Sequence, residues 1–484
     1  MNYNESAEGS FNHIPEIPKE KFQFVSFNET EKITFAGKTK GYFADCMTRF
    51  FTNKTSVLCF VIIFILILYS IFAPIFSKYK ISDKDAYYAY VNPSFMKYET
   101  QVVNQQTYDY LINIPGAVVK DYGLKKVEIA GRLREWHKIK IDTYAKVGWK
   151  KLILSDSEFN EAKAYEEKNN VQIFYPVIDE KKVTNAAYKN DMNAWFKTDD
   201  KGVALKNPAT GSVEDIFLKE NESPLFFIEK MDGKQKEVRV LYKEWYKYKH
   251  GFSASFLFGA DSSGYDIFTR LAYGARLSLI LSICVAAINL FLGIIIGSIE
   301  GYYGGTVDLV IERIKDILGQ VPSVILMTLF QLYFAKKAGP IVSMFFAFIF
   351  FGWIGTSSTV RAQFYRFKGQ EYVMASRTLG AKDSRLIFKH ILPNAIGFII
   401  TTSVLSIPAV IFSEANLTYL GIVNLQSDTM TSVGTMLNAA QSVLSTHPHC
   451  VFFPASFISI LLICFNEFGN GLRDAFNPSL KGTV

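Results

Sequence analysis

Long uncharged apolar runs alternate with polar stretches along the chain, and their lengths mark candidate membrane crossings. They lie at Ser56–Phe76, Leu277–Ile299, Ile317–Ala335, Ala338–Val360 and Ile391–Ser413. At about 1.5 Å per residue each reaches across a hydrocarbon layer of about 30 Å. A shorter run, Val451–Phe465, contains Pro454 and completes an expected six transmembrane helices. The polar stretch 78–257 is too long for a connecting loop and is expected to fold as a separate unit. In it, Leu152-Ile153-Leu154 reads as a strand, Ser155-x-x-Glu158 as a capping box opening an Ala- and Glu-rich helix, and Val171–Ile178 as a second strand. Val127–Ile141, Pro224–Ile228 and Glu237–Tyr242 are further strand candidates. The expected fold is therefore an all-α polytopic membrane protein with an α+β domain inserted between its first two spans. Residues 1–55 read as a mostly irregular tail.

Charge gives the orientation. The stretch 361–390 carries Arg361, Arg366, Lys368, Arg377, Lys382, Arg385 and Lys389 against Glu371 and Asp383, whereas 414–449 has no Lys or Arg. Short basic loops stay on the cytoplasmic side. Both termini and 361–390 are thus expected inside, and 78–257 outside, in a multi-pass plasma-membrane protein. Lys336 and Lys337, in a short outer turn, run against this contrast without overturning it.

Composition narrows the function. Of 484 residues 49% are hydrophobic and 42 are Phe, yet mean hydropathy is only +0.12, so membrane segments must coexist with substantial polar ones. The net charge of +7 sits in loops and speaks to topology rather than nucleic acid. Cys46, Cys59, Cys284, Cys450 and Cys464 are scattered, none of them in 78–257, so no disulfide framework is expected there. The first run, preceded by 55 residues, exceeds a signal-peptide core and reads as an anchor. Ala36-Gly37-Lys38-Thr39 lacks the upstream glycine of a phosphate loop, since position 32 is Lys. His447-Pro448-His449-Cys450 offers no third ligand nearby, and His137 and His250 stand alone. Neither catalytic residues, a metal nor a cofactor is expected.

Two segments carry chemistry of another kind. In Glu371–Pro393, Tyr372, Val373, Ala375, Ser376 and Leu379 follow helical spacing and Gly380 sits at a helix C-terminus. Asp383 or Ser384 is expected to cap a second short helix through Lys389, ended by Pro393. The unit resembles the ATPase-contacting loop of ABC importer permeases, with Ala375, Ser376, Gly380, Leu392 and Pro393 at matching spacing. Met374, Ser376 and His390 depart from the usual residues. The resemblance implies that Tyr372, Met374, Ala375, Ser376, Leu379, Gly380, Ala381 and Leu386 dock an ATPase. An ordinary amphipathic linker is the plainer reading.

Residues 258–279 resemble the approach to the second span in oligopeptide and dipeptide importer permeases of the C type. Gly259, Asp261, Gly264, Asp266, Arg270, Gly274, Arg276 and Ser278 match, while Ala260 and Tyr265 depart. The two aspartates are placed to pair with Arg270 and Arg276 and fix the entry of the span, or to meet substrate. Arg313-Ile-Lys-Asp316 with Pro322, Glu414–Gly421, Asn466–Asp474 and Asn477-Pro478 extend the resemblance. It implies a type I ABC importer permease moving peptide, with a second homologous permease, two cytoplasmic ATPase subunits, an extracytoplasmic solute-binding protein and the lipid bilayer as partners, and no nucleic acid. The permease core would be 258–484. A membrane-anchored sensor, a secondary transporter, or a permease for nickel or another small solute are the alternatives. Asn289, Gln320 and Gln331 either line a path or bond neighbouring helices.

Overall fold

The structure, a computed structural model, describes residues 42–112, 114–129, 132–175 and 235–476. The strand expected at Pro224–Ile228, most of the 1–55 tail, the Ala36–Thr39 motif and Asn477-Pro478 lie outside the described residues. The described end of the tail is not irregular: Tyr42–Thr52 forms α1, whose Phe50 is buried with its ring 5.6 Å from Phe468.

The first span is α2, Lys54–Phe76, opened by Asn53, whose side chain accepts from the Ser56 N–H at 3.3 Å. After it come two antiparallel three-stranded sheets. The first has order β1 (Tyr98–Val103), β3 (Arg132–Asp142), β2 (Val118–Ile129), with helix α3 (Gln105–Ile112) against one face. The second has order β4 (Trp149–Ser155), β6 (Gln235–Leu241), β5 (Phe174–Tyr175), with α4 (Asp156–Asn169) joining β4 to β5. The capping box is present: the Glu158 N–H donates to Ser155 Oγ and the Ser155 N–H donates to Glu158 Oε2, each at 3.3 Å. Val127–Ile141 is not one strand. The chain reverses after Ile129, so its apolar and charged residues belong to two strands of a hairpin. Helix α5 (Tyr242–His250) packs Tyr242, Trp245 and Tyr246 with Tyr88, Tyr144 and Phe256, an aromatic core shared with the second sheet.

The long helix α6 (Ile267–Tyr303) has 37 residues and would extend about 55 Å, past either edge of a bilayer. Helix α9 (Pro340–Phe367) lies along it. Gly293, Gly297 and Gly301, four apart, let α9 approach so closely that an added Cβ would strike Thr356, Ser357 or Phe364. Small residues at this spacing are how helices pack without a hydrophobic driving force in lipid.

Between α6 and α9 the apolar run 317–335 is not a straight span. Helices α7 (Gly305–Gly319) and α8 (Ser323–Ala338) meet at 79°, across a break that contains Pro322, which lacks a backbone donor. Five helices are long and apolar enough to cross a membrane, and this bent pair would be the sixth span.

After the short α10 (Glu371–Thr378), helical backbone continues from Asp383 to Tyr419 through a π-helical stretch at Leu386–Ile391, α11 (Leu392–Val404) and α12 (Ser406–Tyr419). Pro393 therefore does not end a helix. It lies just inside α11, immediately after the wider π turn at Leu386–Ile391. Helices α13 (Val433–Ala440) and α14 (His449–Phe476) complete the chain, α14 running on both sides of the expected 451–465.

Candidate functional site

At one end of the long helices, α10 presents its residues beside α6. Its C-terminus closes as a Schellman turn: Ala381 N–H donates to Ser376 O at 3.1 Å and Gly380 N–H to Arg377 O at 3.0 Å. Gly380 has φ +81, which explains the glycine, while the space where a Cβ would stand is open. The position is left-handed rather than crowded. Leu379 is 88% exposed, and Met374 and Tyr372 are also exposed. Ala375 and Ser376 are accessible at partial or full exposure, whereas Leu386 is fully buried under the unit with Val373. Neither Asp383 nor Ser384 caps the second helix. Lys382 holds the cap position, and Asp383 instead accepts from the Tyr302 hydroxyl of α6 at 2.6 Å. Arg377 donates to the same hydroxyl at 3.3 Å, so α10 and the start of the following helix are tied to the end of α6.

Beside this tie lies a charge network that the sequence reading did not identify. Glu300 on α6 is fully buried and takes Lys315 Nζ of α7 at 2.6 Å, with the Ser357 hydroxyl at 3.3 Å. Lys315 also meets Glu312 at 2.9 Å. Arg361 belongs to helix α9, not to a loop, and bonds Asp308 through two nitrogens at 2.5 and 2.8 Å, with Glu300 at 3.4 Å. Three carboxylates converge here, but two cations already sit among them, which makes the cluster an ion-pair network rather than a cation site. One signal was available: Asp308, Glu312 and Lys315 are spaced to share one helix face. Glu300 and Arg361 come from distant segments.

At the other end, the boundary residues adopt roles different from those expected. No ion pair joins Asp261 or Asp266 to Arg270 or Arg276. Asp266 caps α6, accepting from Thr269 N–H at 2.9 Å and its hydroxyl at 2.5 Å, and burial pushes its carboxyl up to about 6. Asp261 accepts from Ser263 and Tyr265 N–H groups in a turn, and burial raises its carboxyl too. Arg270 is buried, stacks 4.0 Å over the Tyr265 ring, and donates to Ser427 and Met430 carbonyls at 3.0 and 3.4 Å. Arg276 donates to the Ser70 and Ile71 carbonyls of α2, both at 3.0 Å. Backbone carbonyls won because neighbouring segments place them within reach of each guanidinium, while both carboxylates were already engaged with N–H groups.

The motif glycines admit backbone. A Cβ at Gly264 would strike the Asp85 backbone, and one at Gly259 would lie 2.6 Å from Val91 O; both have φ +82. Gly274 lets the Ser432–Val433 backbone approach, with an added Cβ at 3.1 Å. Ser278 donates to the buried carboxylate of Glu414 at 2.6 Å, joining α6 to α12. Glu414 thus lies inside the helix that continues the fifth apolar run rather than in a loop. Asn289 and Gln331 donate to Phe348 and Pro340 carbonyls at 3.4 and 3.1 Å, and Gln320 is exposed.

Comparison with known proteins covers the two stretches that flank the sheets. Residues 267–482 match the family described as "Binding-protein-dependent transport system inner membrane component", and residues 41–93 match "N-terminal TM domain of oligopeptide transport permease C". The chain is 44% identical over 224 residues to the oligopeptide transport system permease protein OppC of Bacillus subtilis, covering 46% of this chain and 72% of that one. It is 40% identical over 230 residues to the dipeptide transport system permease protein DppC of the same organism, covering 47% and 70%. A solved structure of the MetNI methionine ABC transporter is similar at 14% identity and a TM-score of 0.34, covering 43% of this chain and 96% of that chain, too slight a likeness to carry an argument.

Proposed function

The chain belongs to the family of oligopeptide and dipeptide transport permeases, and on that footing we propose how it works within an importer. It is the transport subunit of an ABC importer for peptides and not an enzyme; ATP is hydrolysed on a separate subunit. We assign it a second homologous permease, two cytoplasmic ATPase subunits and an extracytoplasmic solute-binding protein. The bent pair α7–α8 serves as the sixth span, and both termini and the 361–390 region face the cytoplasm. The relatives favour neither a sensor nor a nickel permease.

The observation that carries the docking assignment is the large apolar surface left bare on the helix–glycine–helix unit, with Leu379 at 88% exposure beside Met374 and Tyr372. Exposed apolar side chains gathered on a short helix suit a protein partner. An ATPase pressing on α10 would move it against Tyr302 and Asp383, and the continuous helix from Asp383 to Tyr419 would carry the motion outward. The two sheets form a module over the outer mouth of the path, where they take part in delivery of peptide.

Gly380→Asp tests the docking assignment. It places a charged side chain at φ +81, where non-glycine residues cost of order 1 kcal/mol, within the proposed contact. Transport is expected to be lost with the permease still in the membrane and the ATPase no longer co-purifying. Wild-type uptake with the ATPase still bound would overturn the assignment.

A further inference from the structure

Strand alternation sorts the charges of the first sheet by face. The register sets Thr100 and Lys120 opposite Lys140, Val102 opposite Lys138, Lys125 opposite Trp136 and Val127 opposite Arg134, so these positions share one face. Lys97, at its base, and Lys140 lie 4.5 and 5.3 Å from the Tyr98 ring centre; Lys120 and Lys138 lie 5.1 and 5.6 Å from that of Tyr122. The acids fall on the other face: Glu99 opposite Ile141, Asp121 opposite Ile139, Glu128 opposite Leu133 and Glu135 opposite Lys126. Helix α3 covers part of that second face, where Ile139 and Ile141 are buried with Leu111, Tyr108 stacks on His137 at 3.7 Å, and its hydroxyl donates to Asp121 at 2.7 Å. Asp142 shares the cationic side but is buried at its base, 3.9 Å from Lys97.

Lys97, Lys120, Lys125, Arg134, Lys138 and Lys140 therefore form a one-signed surface on a segment whose charges nearly balance overall. Tyr98 and Tyr122 remain 47% and 48% exposed beneath the lysines. Such a field raises the encounter rate of an oppositely charged partner by roughly 10- to 1,000-fold at low salt. The face is about 40 Å by 14 Å from strand rise and spacing. Its area, at most about 560 Å², falls below the roughly 800 Å² per partner of a standard protein interface and suits a transient, electrostatically steered contact. Each ring has two lysine amines between 4.5 and 5.6 Å from its centre, so the face offers charge together with aromatic surface, which suits an acidic protein partner.

We propose that this basic face of the first sheet receives the solute-binding protein through an acidic surface on that protein. The inference rests on the reading of the sheets as an outward-facing delivery module.

The test uses the full permease in zwitterionic nanodiscs and its purified binding protein, with association rates followed from low to high salt. Lys120→Glu combined with Lys138→Glu and Lys140→Glu is expected to slow association at least tenfold at low salt and to flatten its salt dependence. Lys126→Glu, on the opposite face, is expected to match wild type. A folded triple variant that associates at the wild-type rate overturns the proposal, as does one that loses only binding to anionic phosphatidylglycerol vesicles. Separately, Lys138→Cys is labelled in whole cells with an impermeant thiol reagent. Failure to label overturns the outward module itself; labelling with an unchanged association rate overturns the docking face alone.

Discussion

Removing the Lys315 ammonium while keeping its stem, as Lys315→Met does, isolates the buried charge network. The variant leaves Glu300 fully buried, with Arg361 at 3.4 Å and the Ser357 hydroxyl at 3.3 Å as its remaining partners. Breaking a buried pair from one side costs about 3–5 kcal/mol because a charge is left uncompensated. Arg361 offsets part of this but is already committed to Asp308 at 2.5 Å, so a loss near 3 kcal/mol is expected. That corresponds to a drop in apparent melting temperature on the order of 5–10 °C. The assay is fluorescence-detected unfolding in one detergent at one scan rate. Adding Glu300→Gln removes the orphaned charge, and the double variant is expected to recover to within about 1 kcal/mol of wild type. If Lys315→Met melts with wild type, or the double variant is no better than the single, the pairing does not hold α7 against α6 and α9.

Two further outcomes follow from the turn that leads into α6. Gly264→Ala forces a side chain into the Asp85 backbone at φ +82, so the segment from Asp85 to Val91 should lift from the 259–266 turn; protease protection there equal to wild type would refute the close approach. Asp266 holds its proton to about pH 6 when folded but releases it near 4 when unfolded, so the folded state binds more protons between those values. Stability should then fall by about 2–3 kcal/mol as pH rises from 4 to 6 and level off above, and Asp266→Asn should flatten this slope; an equal slope in both proteins would refute it.

Five of the six apolar runs were legible as long helices because length and lack of charge suffice to specify them, and the capping box at Ser155 because its signal is local. The break at Pro322 was written in the sequence yet hidden inside an uncharged run, where length alone merges two helices. Pairing of the boundary charges misled for the opposite reason. Asp261 and Asp266 are near Arg270 in sequence, but the carbonyls that took Arg270 come from 157 and 160 positions away. Glu300 depends in the same way on Lys315 and Arg361, which only the packing of three helices brings together. The reversal after Ile129 was missed because residues on either side of it are equally strand-forming.

The ends of the segment between the first two membrane helices meet: the hydroxyls of Ser77 and Thr269, 192 positions apart, are 2.6 Å from each other. During synthesis at about 5–20 residues per second, the first helix would therefore wait roughly 10–40 s for the partner it packs against. It must survive that interval alone in lipid, and its sequence suits the wait, since Lys54–Phe76 contains the most apolar stretch of the five candidate spans and keeps few residues buried by its neighbours. Because the excursion leaves and returns at one point, lengthening or shortening it would not change the distance those two helices must close. A lineage could gain or lose the whole intervening segment there by a single insertion or deletion while the two helices kept their packing.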